Sequence, residues 1–305
     1  KTYYDMVIKE KMLPPIFSLE MAKDFSDAAI RLGVEAKINI AVDTGMSRIG
    51  YIPSDKAVQE IVEINKLPNI KIESIFTHFA KSDYIDKSFA DKQFEEFMEF
   101  INILEENGVH IPIHQCANSA AMMEMPKTSL SLSRAGISMY GLYPSEEVDH
   151  EAMKLEPAMA IYSHVVYVKE IEAGRGISYG QTFVADKKMK IATIPIGYGD
   201  GYPRNLSNKG YVLINGKRAN ILGRICMDQF MVDVTGMDVK AGDLVTIAGK
   251  DGNEEILIDD MAVLAGTFNY EFVCDLGKRI PRVYIKDNKV VGTKDYFDDD
   301  YEINI

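Results

Sequence analysis

The feature that most limits what this chain can fold into is a change of periodicity across residues 142–157. Before it, short apolar runs alternate with helical patterns. Residues 37–42, 71–78, 109–114 and 136–140 read as strands, and residues 55–65 and 88–108 as helices. In the second helix Phe94, Phe97, Met98, Ile101 and Leu104 share one face at three- and four-residue spacing. Ser88 can cap its start, Asp91 suits the positive end, and Asn107-Gly108 stops it. Strand–helix repetition implies a parallel sheet, open or closed into a barrel. After the change, β-branched residues alternate and turns are frequent. Residues 161–171, 190–196, 211–214 and 244–248 read as strands, and 259–264 as a short helix. Asn215-Gly216 is a type I′ hairpin signal. The expected architecture is therefore α/β over residues 1–152 and a mainly antiparallel β domain over 153–305. The acidic, tyrosine-rich tail from Asp295 reads as a solvated end.

Composition narrows the function classes. A chain of 305 residues with 47% hydrophobic content can bury cores for two domains. A formal net charge of -12 argues against a nucleic-acid-binding face but allows a local basic pocket. Arg48, Arg134, Arg204, Arg224 and Arg282 are scattered, so folding would have to build such a pocket. Cys116, Cys226 and Cys274 form no C-x-x-C pair, which predicts reduced thiols and a cytoplasmic location. No apolar run reaches the roughly 18 residues of a membrane segment. The five histidines, at 78, 110, 114, 150 and 164, make no ligand pattern, so no metal is expected.

Single candidates are ambiguous. His78 ends an apolar strand, where a lone histidine is commonly a packed core residue, yet barrel active sites collect at such strand ends. Asn118-Ser119 follows an apolar run and can cap a helix or hold a phosphate. Gly136, two residues after Arg134, fits either ordinary turn chemistry or close approach of the backbone to a phosphate. The run from Gly197 to Arg204 and the triplet Ser178-Tyr179-Gly180 set tyrosines among small residues, as in a hairpin loop or a site wall.

Taken together the segments resemble the alanine racemase family. The matching motifs are Asp43-Thr-Gly-Met-Ser-Arg48-Ile-Gly50, Thr77-His78-Phe-Ala80, Cys116-Ala-Asn-Ser119-Ala120 and Arg134-Ala-Gly-Ile-Ser-Met-Tyr-Gly141. They continue with Ser178-Tyr179-Gly180, Gly197 to Arg204, Gly223 to Asp228, and Asn269-Tyr270-Glu271. The resemblance implies a (β/α)8 TIM-like barrel followed by a β domain, and a homodimer with shared active sites. It implies pyridoxal phosphate as cofactor and two-base racemisation of L- and D-alanine, supplying D-alanine for peptidoglycan. Carried over residue by residue, it gives the phosphate to Ser119, Gly136, Ile137 and Tyr270, with Asn118 alongside. It sets Arg134 against the pyridine nitrogen, with His78 linking Arg134 to Tyr179 of the partner subunit, one of the two bases. Arg48 and the Met227 backbone would meet the substrate, and Asp83, Tyr198, Arg204 and Arg224 would line the entrance.

Two departures stand out. The family's cofactor lysine lies in a motif resembling V-K-A-N-A-Y-G-H-G, which does not occur here. The expectation is a chain lacking that anchor and roughly two or three of the eight βα units. Ala41 stands where many relatives carry a lysine that steadies the arginine matched to Arg48. Two other readings compete: a racemase for serine or basic amino acids, and a module that is inactive or serves only dimerisation because its anchor lysine is absent.

Overall fold

The structure is a computed structural model that describes residues 3–297, and the chain divides after Glu156 into two units. The part of the tail from residue 298 onward lies outside the described residues. None of the described helices is long and apolar enough to cross a membrane.

The first unit runs α1 (Tyr4–Lys9), β1 (Pro15–Ile16), α2 (Leu19–Leu32), β2 (Ala36–Ala41), α3 (Asp55–Ile64), β3 (Ile70–Phe76), α4 (Ser88–Glu106), β4 (Ile113–Gln115) and α5 (Ser119–Glu124). The four strands form one parallel sheet in chain order. Parallel neighbours need crossover helices, which cover the sheet. Ile16, Ile38, Ile40 and Ile75 are fully buried in that core with Phe25, Phe97 and Phe100. Ser18 and Ser54 cap α2 and α3, each accepting a backbone N–H with its hydroxyl. On α4 the buried stripe is Ala90, Gln93, Phe97, Phe100, Ile101 and Leu104. Its cap is corrected: Lys87 holds that position, and Ser88 instead donates its N–H to Asp86.

The expected strand at 136–140 is also corrected. Extended pairing comes earlier, where Leu132 bridges Gln115 and the Arg134 N–H donates to the Ala117 carbonyl. Ile137–Tyr140 is a single 3-10 turn ending at Gly141, whose φ of 72° suits glycine. The Gly136 and Ser138 amides leave the sheet direction because both point at the Ser119 hydroxyl.

The second unit opens with β5 (Ile161–His164), β6 (Tyr167–Ile171), β7 (Gly176–Ile177), β8 (Phe183–Val184) and β9 (Met189–Ile194). It continues with β10 (Tyr211–Ile214), β11 (Lys217–Leu222), β12 (Phe230–Asp233), β13 (Leu244–Asp251) and β14 (Glu254–Ile256). Then come α6 (Ile258–Ala265), α7 (Asn269–Asp275), β15 (Arg282–Lys286) and β16 (Lys289–Lys294). The main sheet is antiparallel, ordered β14-β13-β10-β11-β12-β9-β6, with β5 on β13. The expected single strand at 161–171 is thus two strands: β5 pairs with β13 and β6 with β9, on opposite sides of β10–β12. Val165 and Val166 make the switch by donating to Asp243 and Thr193 respectively, which curls the sheet. Asn215 and Gly216 both have positive φ, 53° and 68°, as a type I′ turn requires. The core includes Phe230, Val212, Val232 and Val245, with Tyr202 stacked on Phe230 at 5.2 Å.

Phe97 is fully buried against the sheet. Phe97→Ala should lower the free energy of unfolding by about 3–5 kcal/mol, measured by urea denaturation. A loss under about 1 kcal/mol would mean that α4 does not carry the core.

Candidate functional site

In a parallel sheet every strand ends at the same edge, and the loops that follow are gathered there. In the first unit these loops begin at Val42, Thr77 and Cys116, beside the extended segment that ends at Arg134. Arg134 donates through Nη2 to the Thr77 carbonyl at 2.8 Å and lies over the Phe76 ring at 5.3 Å. The same Nη2 stands 3.4 Å from His78 Nδ1. Arg134 is paired with no carboxylate among the described residues, and its Nη1 is buried with no hydrogen-bond partner.

This placement decides the state of His78. Burial, then the Arg134 guanidinium, then Arg48, pull its pKa down to about 4. The ring is therefore neutral at physiological pH. Nδ1 faces a donor that is always protonated, so Nδ1 accepts and the ring proton sits on Nε2.

Next to this pair lies a cradle of donors. The Gly136 N–H, the Ser138 N–H and the Ser138 hydroxyl converge on Ser119 Oγ at 2.9, 3.4 and 3.1 Å. Converging amides of this kind suit an anion. The Asn118 side chain caps α5 through the Ala121 N–H and accepts from Ser82. Ser82 is followed by Asp83, whose carbonyl accepts from the Ser145 hydroxyl at 2.7 Å.

Arg48 sits on a loop closed by the Val42–Tyr51 bridge. Asp43 accepts the Gly45 and Ser47 amides at its root. Gly50 must be glycine there: its φ is 124°, and a Cβ would lie 2.7 Å from the Asp43 backbone.

In the second unit three loops meet. Ser178, Gly180 and Gln181 all have positive φ, 60°, 70° and 48°, and Tyr179 stands between them, 68% exposed. The Ser178 hydroxyl donates to the Arg224 carbonyl, and the Arg224 guanidinium lies against Gly180, where a Cβ would meet it at 3.2 Å. The Tyr198 and Gly199 amides donate to the Cys226 and Met227 carbonyls. Arg279, which the sequence reading missed, clamps these two loops by pairing with Asp200 at 3.3 Å and Asp228 at 2.7 Å. Tyr270 lies in the first turn of α7 with its ring 5.5 Å from Phe268, while Arg204 is exposed on a 3-10 turn. The structure therefore gathers His78, Arg134, Ser119, Gly136 and Ile137 in one unit. It gathers Tyr179, Tyr198, Arg224 and Met227 in the other.

Family models match most of the chain: "Alanine racemase, N-terminal domain" over residues 1–144 and "Alanine racemase, C-terminal domain" over 158–284. The alanine racemase of Clostridium perfringens strain SM101 is 45% identical over 295 residues, 96% of this chain and 76% of that protein. The structure of alanine racemase from Clostridium difficile 630 superposes with a TM-score of 0.92 at 39% identity, covering 97% of this chain and 77% of that one. That from Bartonella henselae, with covalently bound pyridoxal phosphate, superposes at 0.79 and 29% identity, covering 93% and 76%.

The depressed pKa of His78 has a stability consequence. The unfolded histidine takes a proton near pH 6.5 and the folded one only near 4. Its contribution is present above pH 6.5 and is lost as pH falls towards 4, on the order of 3 kcal/mol. Thermal unfolding of His78→Gln should accordingly fall less steeply over that window than that of the unaltered protein. Equal slopes would mean that His78 titrates as a free imidazole.

Proposed function

Because the chain belongs to the alanine racemase family, we propose that it interconverts L- and D-alanine with pyridoxal phosphate, acting as a homodimer with shared active sites. The observation that carries this reading is Arg134 Nη1, a buried donor with no partner. Leaving such a group unsatisfied costs about 1–3 kcal/mol, more when charged, so the site is built to receive an acceptor. An aromatic ring nitrogen fits, since a guanidinium can only donate. The donor cradle at Ser119, Gly136 and Ser138 fits a phosphate.

When bound, pyridoxal phosphate would delocalise the electron pair left as the α-proton departs. The chain's own residues supply orientation and proton transfer. Arg134, always protonated, keeps the ring nitrogen as an acceptor, which moderates its electron demand and favours proton return over side reactions. Neutral His78 accepts from Arg134 at Nδ1 and keeps an N–H on Nε2 to offer to Tyr179 of the partner subunit. As the phenolate that side chain would take the α-proton on one face, and as the phenol it would return one. Arg48 and the Met227 backbone would hold the substrate carboxylate, Ile137 and Tyr270 would join the phosphate contacts, and Asp83, Tyr198, Arg204 and Arg224 would line the entrance. In this reading the protein works in the cytoplasm and provides D-alanine for peptidoglycan. No segment of the 305 residues resembles V-K-A-N-A-Y-G-H-G, so covalent anchorage is assigned to no lysine of this sequence.

The test follows L-alanine in deuterium oxide with pyridoxal phosphate by chiral chromatography. Tyr179→Phe should lower racemisation by about 10²–10⁴-fold. A variant as fast as the unaltered protein would remove Tyr179 from the mechanism, and no racemisation in either would remove the activity. Borohydride reduction and mass mapping check the second point: specific labelling of any lysine among these 305 residues would refute that assignment.

A further inference from the structure

We infer that Gln93 is a positioning residue, whose side-chain amide holds the backbone on both sides of Phe79 and so keeps the His78 imidazole turned towards Arg134. The part of this inference that concerns turnover rests on the function proposed above.

β3 ends at Phe76, and the last ladder bond of that edge is the Thr77 N–H to the Gln115 carbonyl. His78 therefore lies beyond the sheet, where no strand pairing fixes its backbone. Two side chains take over. Arg134 holds the Thr77 carbonyl at 2.8 Å. Gln93 donates through Nε2 to the His78 carbonyl at 3.1 Å and accepts the Ala80 N–H at Oε1 at 2.9 Å. One planar amide thus spans residues 78–80 much as a neighbouring strand would.

The position is an unusual one for an amide. Gln93 is 1% exposed and belongs to the apolar stripe of α4, between Ala90 and Phe97. A buried amide is unfavourable unless its groups are hydrogen-bonded. Here both donors are used, since Nε2 also reaches Thr44 Oγ1 at 3.2 Å, and Thr44 Oγ1 in turn lies 2.7 Å from Thr77 Oγ1. Packing alone would be served by Met, which has nearly the same length and no such demand.

The test is His78 itself, read by nitrogen NMR of histidine-labelled protein. Three proteins are compared: unaltered, Gln93→Met and Thr44→Val. Thr44→Val removes a hydroxyl from the same buried network but leaves both bonds to the His78–Ala80 backbone. In Gln93→Met the His78 midpoint should climb from about 4 as the ring leaves its half-buried place beside Arg134, and in Thr44→Val it should stay near its starting value. In the holoenzyme, Gln93→Met should lower kcat by about 10-fold or more with a smaller change in KM, as expected when a group is misplaced rather than lost. Gln93→Asn, one methylene too short to span both groups, supplies the same readout if Gln93→Met does not fold. The inference is overturned if the His78 midpoint moves no further in the Gln93 variants than in Thr44→Val. If it moves as expected while no protein racemises alanine, the positioning role stands and the proposed function falls.

Discussion

A guanidinium fixed by a carbonyl, an imidazole and an aromatic face, with no carboxylate paired to it among the described residues, is the interaction on which the first unit's candidate site depends. Taking a charge out of water is unfavourable unless it is well hydrogen-bonded. Arg134 meets that condition only in part. The Thr77 carbonyl takes one N–H, and the strand-end geometry brings it there because β3, β4 and the segment leading to Arg134 run side by side in the same direction. The positive charge that results lies in a chain whose overall balance is -12. Together with burial, which is the larger cause, it keeps the half-buried His78 neutral, and it leaves one buried donor, Nη1, without a partner. Polarity, charge and hydrogen-bonding capacity there all favour an acceptor-rich, anionic guest.

Much of this frame was legible in the sequence, for identifiable reasons. α3 and α4 follow the helical period because each buries one face only. The Asn215-Gly216 turn was legible because few residue pairs accept two left-handed positions in succession. A second hairpin with the same backbone, at Asp287 and Asn288, with φ of 52° and 57°, was not read, since that pair lacks a glycine. α2 was missed although Ser18 and Gly33 mark both ends, because its buried face is largely small residues, Ala22, Ser26, Ala28 and Ala29 around Phe25. The 161–171 run read as one strand because its residues suit a strand throughout. Only the partners change midway, and local sequence holds no record of partners.

The site divides in the same way. His78 and Ser119 were legible as chemistry-bearing residues after apolar runs, and Arg134 by the glycine two residues beyond it. What ties them together was not, because the decisive contacts run to backbone carbonyls or across long separations. The Arg134–Thr77 bond leaves no trace in side-chain types. Arg279 reaches Asp228 from 51 residues away, with an exposed arginine's ordinary surroundings in sequence. Gln93 was hidden for the opposite reason. Its neighbours on the helix face were read as core, and a polar residue between them broke the apolar pattern without announcing a purpose.

The loop around Tyr179 carries one more consequence. Three of the four residues from Ser178 to Gln181 hold left-handed backbone, two of them not glycine. Such conformations are unfavourable and persist only where surrounding contacts over-determine them. Here the Ser178 hydroxyl on the Arg224 carbonyl and the packing of Gly176 and Gly223 against neighbouring backbone and side chains do so. The backbone that presents this phenol has shed most of its conformational entropy before anything docks on it. Whatever surface meets that ring finds the loop beneath it already ordered, so the association is less opposed by backbone entropy than with a tyrosine on a free loop.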